Sequence, residues 1–393
     1  MDPRLKLTIP AHEIESEAWD QIKAILALPC LNTMAVMPDA HSGYDCPIGG
    51  VVLLHDYVSP GFVGFDQGCG MTHVNTHRQV EEICPEGMRQ CIFDMLVSTI
   101  PTGFAMHGTK NLYARFGPKP FKTAGKGGLW VQRIHEKEAK QFGTLGGGNH
   151  FLEVGVNDFG EVGVTIHSGS RKPGWLVGKH YMDLAKAEGE QYGKLHLFPI
   201  KSEQGQAFLH DMAWSLNYAL ANRKVMMATA LRVLGFSPAE VAEFIEGGDM
   251  INENHNHAEY YVWKYPEEPG GRMVAHQMVL HRKGATPAEL NQYGVIPANQ
   301  RDGVWITRGL GNKDFLESAS HGAGRTMSRT AAKKTLDPEE FRQQMLGIVA
   351  RTDLGVLDEA PGAYKDIRDV LNAQDGILVD VVDHFKPLIV LKG

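Results

Sequence analysis

Long apolar runs, cysteine and positive charge are all in short supply in this 393-residue sequence, and each shortage excludes something. No apolar stretch approaches the roughly 20 residues of a membrane span, and Met1-Asp2-Pro3-Arg4 lacks the apolar core of a signal peptide. The expectation is a soluble, cytoplasmic protein with no membrane partner. Five cysteines (Cys30, Cys46, Cys69, Cys84, Cys91), an odd number gathered in the first quarter, read as reduced thiols and not as a disulfide framework, with one of them available as a metal ligand. Lys and Arg number 39 against 46 Asp and Glu, a formal charge of -7. That balance argues against coating nucleic acid through bulk electrostatics, while a local basic cleft stays compatible with it. Neither standard nucleotide fingerprint is present: the Gly-rich run at 143–148 lacks the Lys-Ser/Thr ending of a Walker loop, and there is no complete GxGxxG. Internal repeats, low-complexity tracts and dividing linkers are absent too, so residues 1–393 are expected to form one domain.

What is there is a 43% hydrophobic chain with a sizeable core and 18 histidines. Residues 13–26 have helical apolar spacing and an acidic start. From 34 to about 74, short apolar runs (33–37, 49–54, 61–65) alternate with Pro, Asp and Gly and read as strands joined by tight loops. Further strands are expected at 151–154, 162–167, 259–263, 273–280 and from 377, with Arg282-Lys283-Gly284 as a basic turn. The stretch 175–246 reads as helical, its Met and aromatic residues as packing, with a short capped helix at 238–245. Asp337-Pro338 is a helix start, and residues 358–366 carry the signals of another.

Polar residues with chemical potential collect where strands run out into loops. Asp66 and Cys69 stand three apart around Gly68, so a carboxylate and a thiol can turn onto one point, a pairing suited to a borderline divalent cation. On spacing alone the simpler reading prevails, Asp66 as a turn-capping carboxylate and Cys69 as a small buried apolar residue. Gly146-Gly147-Gly148 lets backbone approach a ligand, and the 162–167 strand delivers His167 and Arg171 to its exit. Asn252 to Glu259 is dense in metal-capable groups, and spacing does not single out which His would bind. Ser320-His321-Gly322-Ala323-Gly324-Arg325-Thr326-Met327-Ser328-Arg329 puts an imidazole beside a flexible turn with two guanidiniums and hydroxyls, donors suited to phosphate oxygens. An imidazole with a free ring nitrogen there can act as base or as nucleophile toward phosphorus; in isolation the stretch is also an ordinary capped surface turn.

Taken in order, Met37-Pro38-Asp39-Ala40-His41, Asp66-Gln67-Gly68-Cys69-Gly70-Met71, Gly146-Gly147-Gly148-Asn149-His150-Phe151, His167-Ser168-Gly169-Ser170-Arg171, His255-Asn256, the His321 loop, Glu359-Ala360-Pro361-Gly362-Ala363-Tyr364-Lys365 and Lys392-Gly393 resemble the RtcB RNA-splicing ligases over essentially the whole chain. The resemblance implies a single α+β domain, with mixed and antiparallel sheets and flanking helices around a deep cleft holding two Mn(II) ions and GTP. It implies that Asp66, Cys69 and His150 hold one ion, and that Cys69 bridges to a second held by His167 and His255. It makes His321 the nucleophile that takes GMP and Asp39 its orienting carboxylate. Asn149, Glu153, Asn256, Tyr364 and Lys392 fall at positions around the guanylate, and Arg171, Lys283, Arg325 and Arg329 are the candidate donors to RNA phosphates. The implied reaction opens a 2',3'-cyclic phosphate to a 3'-phosphate, guanylylates it from His321, and lets a 5'-hydroxyl displace GMP. An archease-like activator is an implied partner.

Two stretches depart from the family pattern. Gly43-Tyr44-Asp45-Cys46-Pro47-Ile48-Gly49 replaces a Gly-Lys-Gly-Ala-Thr-Val-Gly run, and Pro297-Ala298-Asn299-Gln300-Arg301 replaces a Pro-Gly-Ser-Met-Gly loop, which bears on the triphosphate. Two other readings use the same fold: a dinuclear metal phosphoesterase without a covalent nucleotide, and an RNA-end-binding paralogue without chemistry.

Overall fold

The computed structural model describes residues 2–119, 136–266 and 273–393. Its centre is a large sheet with strand order Ile251–Asn254, Gly70–Gln79, Glu161–Ser168, Phe151–Val156, Val379–Lys392, Val304–Gly309 and Tyr293–Pro297, with Val349–Ala350 also pairing with the Val379–Lys392 strand. Its two edge strands approach each other, so the sheet curls toward a barrel. The alternation of side chains along a strand explains its two faces. Val162, Val164 and Ile166 join Val74, Leu152, Val154 and Ile389 in the largest apolar core, under helices Arg89–Thr99, Glu203–Val233 and Pro238–Glu246. Gly163, Thr165 and His167 face the other way, as do Met71 and His73 on the paired strand. Gly163 is needed there, because a Cβ would stand 2.6 Å from the Phe385 ring and 2.7 Å from His73.

A second sheet, ordered Leu5–Leu7, Leu31–His41, Ile48–Leu54, Met273–Lys283 and Asn256–Pro266, packs its Val36, Val52 and Leu54 on the helix Ser16–Leu26. Between the sheets runs the 31-residue helix Glu203–Val233, about 46 Å long at the usual rise. Its first half buries Phe208, Trp214 and Tyr218 in one core, and its second half buries Met226, Met227 and Leu231 in another. Mixed sheets and flanking helices give the α+β class expected, and all five cysteines are free.

Several local expectations are corrected. Residues 61–65 are not a strand: Pro60–Val63 is a short helix, with Ser59 before it, Pro at its first position and Gly64 (φ 81) ending it. The 175–246 stretch is interrupted by the hairpin Glu190–Tyr192 and Leu195–Pro199. Arg282 and Lys283 are not in a turn but end a strand, both buried, and only Gly284 (φ 60) turns. Residues 358–366 form two 3-10 turns, Leu357–Glu359 and Pro361–Ala363; the helix starts later, at Ile367–Asn372, where the Asp366 side chain caps the Arg368 amide. Pro361 and Gly362 account for the delay. The helix Pro338–Gln344 begins where expected, capped by Asp337. Among the described residues, no helix is long and apolar enough to cross a membrane.

Candidate active site

Strand ends bring the first group of side chains together. Cys69 immediately precedes Gly70–Gln79, His150 immediately precedes Phe151–Val156, and His167 is next to last in Glu161–Ser168, whose register sets Met71 and Phe151 opposite it. His255 sits in the bend between Ile251–Asn254 and Asn256–Pro266, its amide donating to the Cys69 carbonyl at 2.8 Å. All four are more than nine-tenths buried. Cys69 Sγ lies 3.4 Å from His150 Nε2 and 3.1 Å from His167 Nε2, and His167 Nε2 is 3.3 Å from His255 Nε2. Asp66 Oδ2 completes the group at 3.2 Å from His150 Nε2.

The outer hydrogen bonds fix which ring nitrogens point inward. His167 Nδ1 is 3.1 Å from the Asn149 carbonyl, which can only accept, so Nδ1 holds the proton and Nε2 offers a lone pair to the cluster. His150 Nδ1 has two neighbours, the Leu145 carbonyl at 3.0 Å and Arg171 Nη1 at 3.1 Å. Donation to Leu145 frees Nε2 for a ligand; donation from Arg171 would put the proton on Nε2, facing Asp66. A cation at Nε2 selects the first tautomer. Burial, followed by neighbouring imidazoles, drives His167 and His255 well below the usual histidine range, so both are neutral. Desolvation works against ionisation of Asp66, yet the His150 hydrogen bond and nearby Arg171 hold its carboxyl far below the usual range. The Cys69 thiol is pushed up by burial and then by Asp66. Converging neutral nitrogens, a thiol and a carboxylate, with His255 Nδ1 lacking any partner, form a donor set that fits a divalent transition-metal ion, whose charge would also favour the thiolate.

His321 stands beside this cluster, its ring centroid 4.8 Å from that of His255. Its Nδ1 is 2.7 Å from Asp39 Oδ2, which also accepts from the His321 amide at 3.2 Å. Asp39 is fully buried. A carboxylate accepting from Nδ1 leaves Nε2 with the lone pair, as a nucleophile or base requires. The loop is held by strand Ser318–Ser320 on one side and by donation from Ala323 N to the Pro297 carbonyl on the other. Gly324 (φ 75) permits contact with the neighbouring strand, since a Cβ would stand 2.4 Å from the Asp39 carbonyl oxygen.

A cavity of about 260 Å3 opens in front of His321, and Asn149, Glu153, Tyr364 and Lys392 line it. Glu153 is buried with Oε1 unpartnered, and burial raises its carboxyl well above the usual range. Glu359, which the sequence reading quoted only within a motif, is the hub of the far wall. It meets Lys392 at 2.7 Å, Arg325 at 3.1 Å and Arg329 at 2.6 Å, and accepts from the Tyr364 hydroxyl. Burial opposes its ionisation, but Lys392 and Arg329 hold it below the usual range. With Asp358 bonding Arg329 and Lys333, four cations face two carboxylates, a surplus of positive charge suited to phosphate. The sequence offered no signal beyond the Glu359–Lys365 run itself, because the cations that gather on Glu359 come from Arg325, Arg329 and Lys392, distant in the chain.

The candidates do not all meet. Asn256 is not at the cavity; its amide donates to the Asp66 carbonyl and accepts from Gly284 N. Arg325 and Arg329 do line the cavity, whereas Arg171 stands behind His150 and Lys283 is buried with Nζ on the Val63 carbonyl at 3.0 Å. The four cations are therefore not one patch, and Lys283 is corrected from a surface donor to a buried strut. The glycine loop also has a role other than the one expected. A Cβ on Gly146 would strike the Arg171 guanidinium at 2.0 Å, and one on Gly148 would press Arg329 at 3.2 Å, so backbone approaches two arginines there. The changed loop lines the same cavity through Pro297, Ala298, Asn299 and Gln300.

Comparison with known proteins agrees with this geometry. The family described as RtcB, tRNA-splicing ligase RtcB, matches residues 21–123 and 120–393. RNA-splicing ligase RtcB of Escherichia coli (strain K12) is 32% identical over 401 residues, covering 97% of this chain and 95% of that protein. tRNA-splicing ligase RtcB of Archaeoglobus fulgidus is 30% identical over 458 residues, covering 97% and 92%. RNA-splicing ligase RtcB homolog 1 of Entamoeba dispar is 32% identical, covering 93% and 80%. With the match running across both sheets and every strand end that carries the cluster, the chain belongs to the RtcB family.

Proposed function

We propose that this chain is a GTP- and Mn(II)-dependent RNA ligase, one catalytic domain over residues 1–393, that joins 3'-phosphate or 2',3'-cyclic phosphate ends to 5'-hydroxyl ends. The observation that carries the reading is the 2.7 Å contact of His321 Nδ1 with buried Asp39, which leaves Nε2 with its lone pair on a ring that lines a cavity of about 260 Å3 beside a Cys/His cluster. Asp66, Cys69 and His150 would hold one ion, and Cys69, His167 and His255 a second; two bound cations would offset the charge of the meeting phosphates. His321 Nε2 attacks the α-phosphorus of GTP, the N–P bond forming as the bond to pyrophosphate breaks, and Asp39 stabilises the imidazolium character that develops. GMP then passes to the RNA 3'-phosphate, which is a poor electrophile until it carries that leaving group, and the 5'-hydroxyl displaces GMP. An ionised Glu153 would accept from the adjacent N1–H and 2-amino N–H of guanine, a donor pair that adenine does not present, and Asn149, Tyr364 and Lys392 border the same cavity. Arg325 and Arg329 are the donors offered to RNA phosphates, and work in the cytoplasm with an archease-like activator belongs to the same reading.

Intact mass after incubation with Mn(II) and GTP tests it. The protein should gain an acid-labile GMP, and His321→Ala should lose the adduct while keeping its metal content. Opening of a 2',3'-cyclic phosphate with no adduct would replace this reading with the metal phosphoesterase, and RNA-end binding without either reaction would leave a binding module.

A further inference from the structure

Arg223, in the second half of the Glu203–Val233 helix, is fully buried, and no carboxylate lies within ion-pairing distance of it among the described residues. Burying an uncompensated charge is costly, and a packed apolar side chain would usually serve as well. All five of its N–H donors are nevertheless satisfied. Nη1 donates to the Gly68 and Ser168 carbonyls, both at 2.9 Å. Nη2 donates to the Glu253 carbonyl at 3.4 Å and to Asn254 Oδ1 at 2.8 Å, and Nε donates to Asn252 Oδ1 at 2.8 Å. Gly68 precedes Cys69, Ser168 follows His167, and Glu253-Asn254 lead into His255. One guanidinium thus joins the three strand ends that deliver the donors, at the point where Gly70 pairs with both Ser168 and Asn254.

Asn222, the preceding residue, does the same for the fourth donor. It is fully buried; Oδ1 accepts from Gly143 N at 2.7 Å, and Nδ2 donates to the Thr144 carbonyl at 3.2 Å and lies 3.4 Å from the Gly169 carbonyl. The next residue after Thr144 is Leu145, whose carbonyl meets His150 Nδ1. The helix itself touches the Cys69 turn: a Cβ on Gly68 would stand 2.9 Å from Ala219 Cβ, one turn before Arg223.

We propose that Arg223 and Asn222 are positioning residues that set the spacing of the Cys69, His150, His167 and His255 donor atoms, and hence the affinity of the centre for its ion. This rests on reading that cluster as a metal centre. Neither residue reaches the nucleotide cavity, and both act through backbone next to the donors.

Titration of the metal-free protein with Co(II) tests the proposal without use of the reaction. Wild type should give a thiolate-to-cobalt charge-transfer band from Cys69. Arg223→Lys retains the charge but cannot reach five acceptors, and should weaken Co(II) binding by about 10- to 100-fold and shift the band, as loss of outer-shell support does. Arg282→Lys is the control for mere loss of a buried guanidinium: Arg282 is equally buried, pairs with Glu259 and Ser318, and should keep wild-type Co(II) affinity and spectrum whatever it loses in urea midpoint. A wild-type spectrum and affinity in folded Arg223→Lys would overturn the positioning role. If that variant does not fold, Asn222→Ala, which favours the helix, carries the same question: Co(II) binding weaker by several-fold supports the proposal and unchanged binding overturns it. Absence of a thiolate band in wild type would instead remove the metal-centre reading beneath it.

Discussion

At the scale of single residues, the site is governed by which atom of each imidazole holds the proton. Asp39 settles this for His321, so Asp39→Asn, which preserves shape but can donate to Nδ1, should slow GMP-adduct formation by about 10²- to 10⁴-fold while Co(II) binding stays intact. Time-resolved intact mass is the measurement, and an unchanged rate would take the orienting role away from Asp39. The residues with distinctive chemistry (Cys69, His150, His167, His255, His321) were legible because motif order marked them before any coordinate did. Arg223 and Asn222 were not, since a cation within an amphipathic helix normally reads as a solvated face; only the tertiary fold reveals that its five acceptors are backbone and amide oxygens from three distant loops. Lys283 failed for the converse reason. A Lys next to a Gly suggests an exposed turn, but strand pairing with Gly50 carried it inside.

Among elements, those specified by local chemistry were read well and those specified by partners were not. The helix Pro238–Glu246 has a complete capping box, Ser237 Oγ accepting from Glu240 N and the Glu240 carboxylate accepting from Ser237 N, with Pro at the first position. Its start is written in four consecutive residues. Ser237→Ala should therefore lower stability by about 1 kcal/mol in urea unfolding and leave adduct formation unchanged, because the helix packs on the core side of the sheet, away from the cavity. The short helix Pro60–Val63 and the two 3-10 turns before Tyr364 lay below that resolution: each is too short for a periodic signal, and apolar residues at 61–63 fit a buried strand as well as a buried turn. The 190–199 hairpin inside an otherwise helical stretch was missed because its strands run only three and five residues.

For the molecule as a whole, two buried histidines outside the site make stability depend on pH. Desolvation brings His73 down to about 3 and His281 down to about 4, from a usual value near 6.5. His281 is further fixed as neutral, its Nε2 accepting from Ser59 N while Nδ1 faces the Val52 carbonyl. Below pH 6.5 the unfolded chain binds protons that the folded chain refuses, so stability is fully present above that value and is lost as pH falls toward 4. Urea midpoints of metal-free protein should drop between pH 7.5 and pH 5 by an amount worth on the order of a few kcal/mol, with His167 and His255 acting in the same direction. A midpoint constant over that range would mean these rings take up protons in the folded state. The family and the α+β class were both readable from motif order, whereas the curl of the sheet depends on pairings between segments hundreds of residues apart. One of those pairings sets a timetable. Strand Val379–Lys392 lies in the middle of the large sheet, between Phe151–Val156 and Val304–Gly309, yet among the described elements it leaves the ribosome last. At about 5–20 residues per second, a nascent chain halted short of it would carry the Cys/His strand ends on one flap and the Val304–Gly309 hairpin on another, with neither Lys392 nor the cavity wall at Val390 in place. The cavity is thus completed only when this one strand zips the two flaps together.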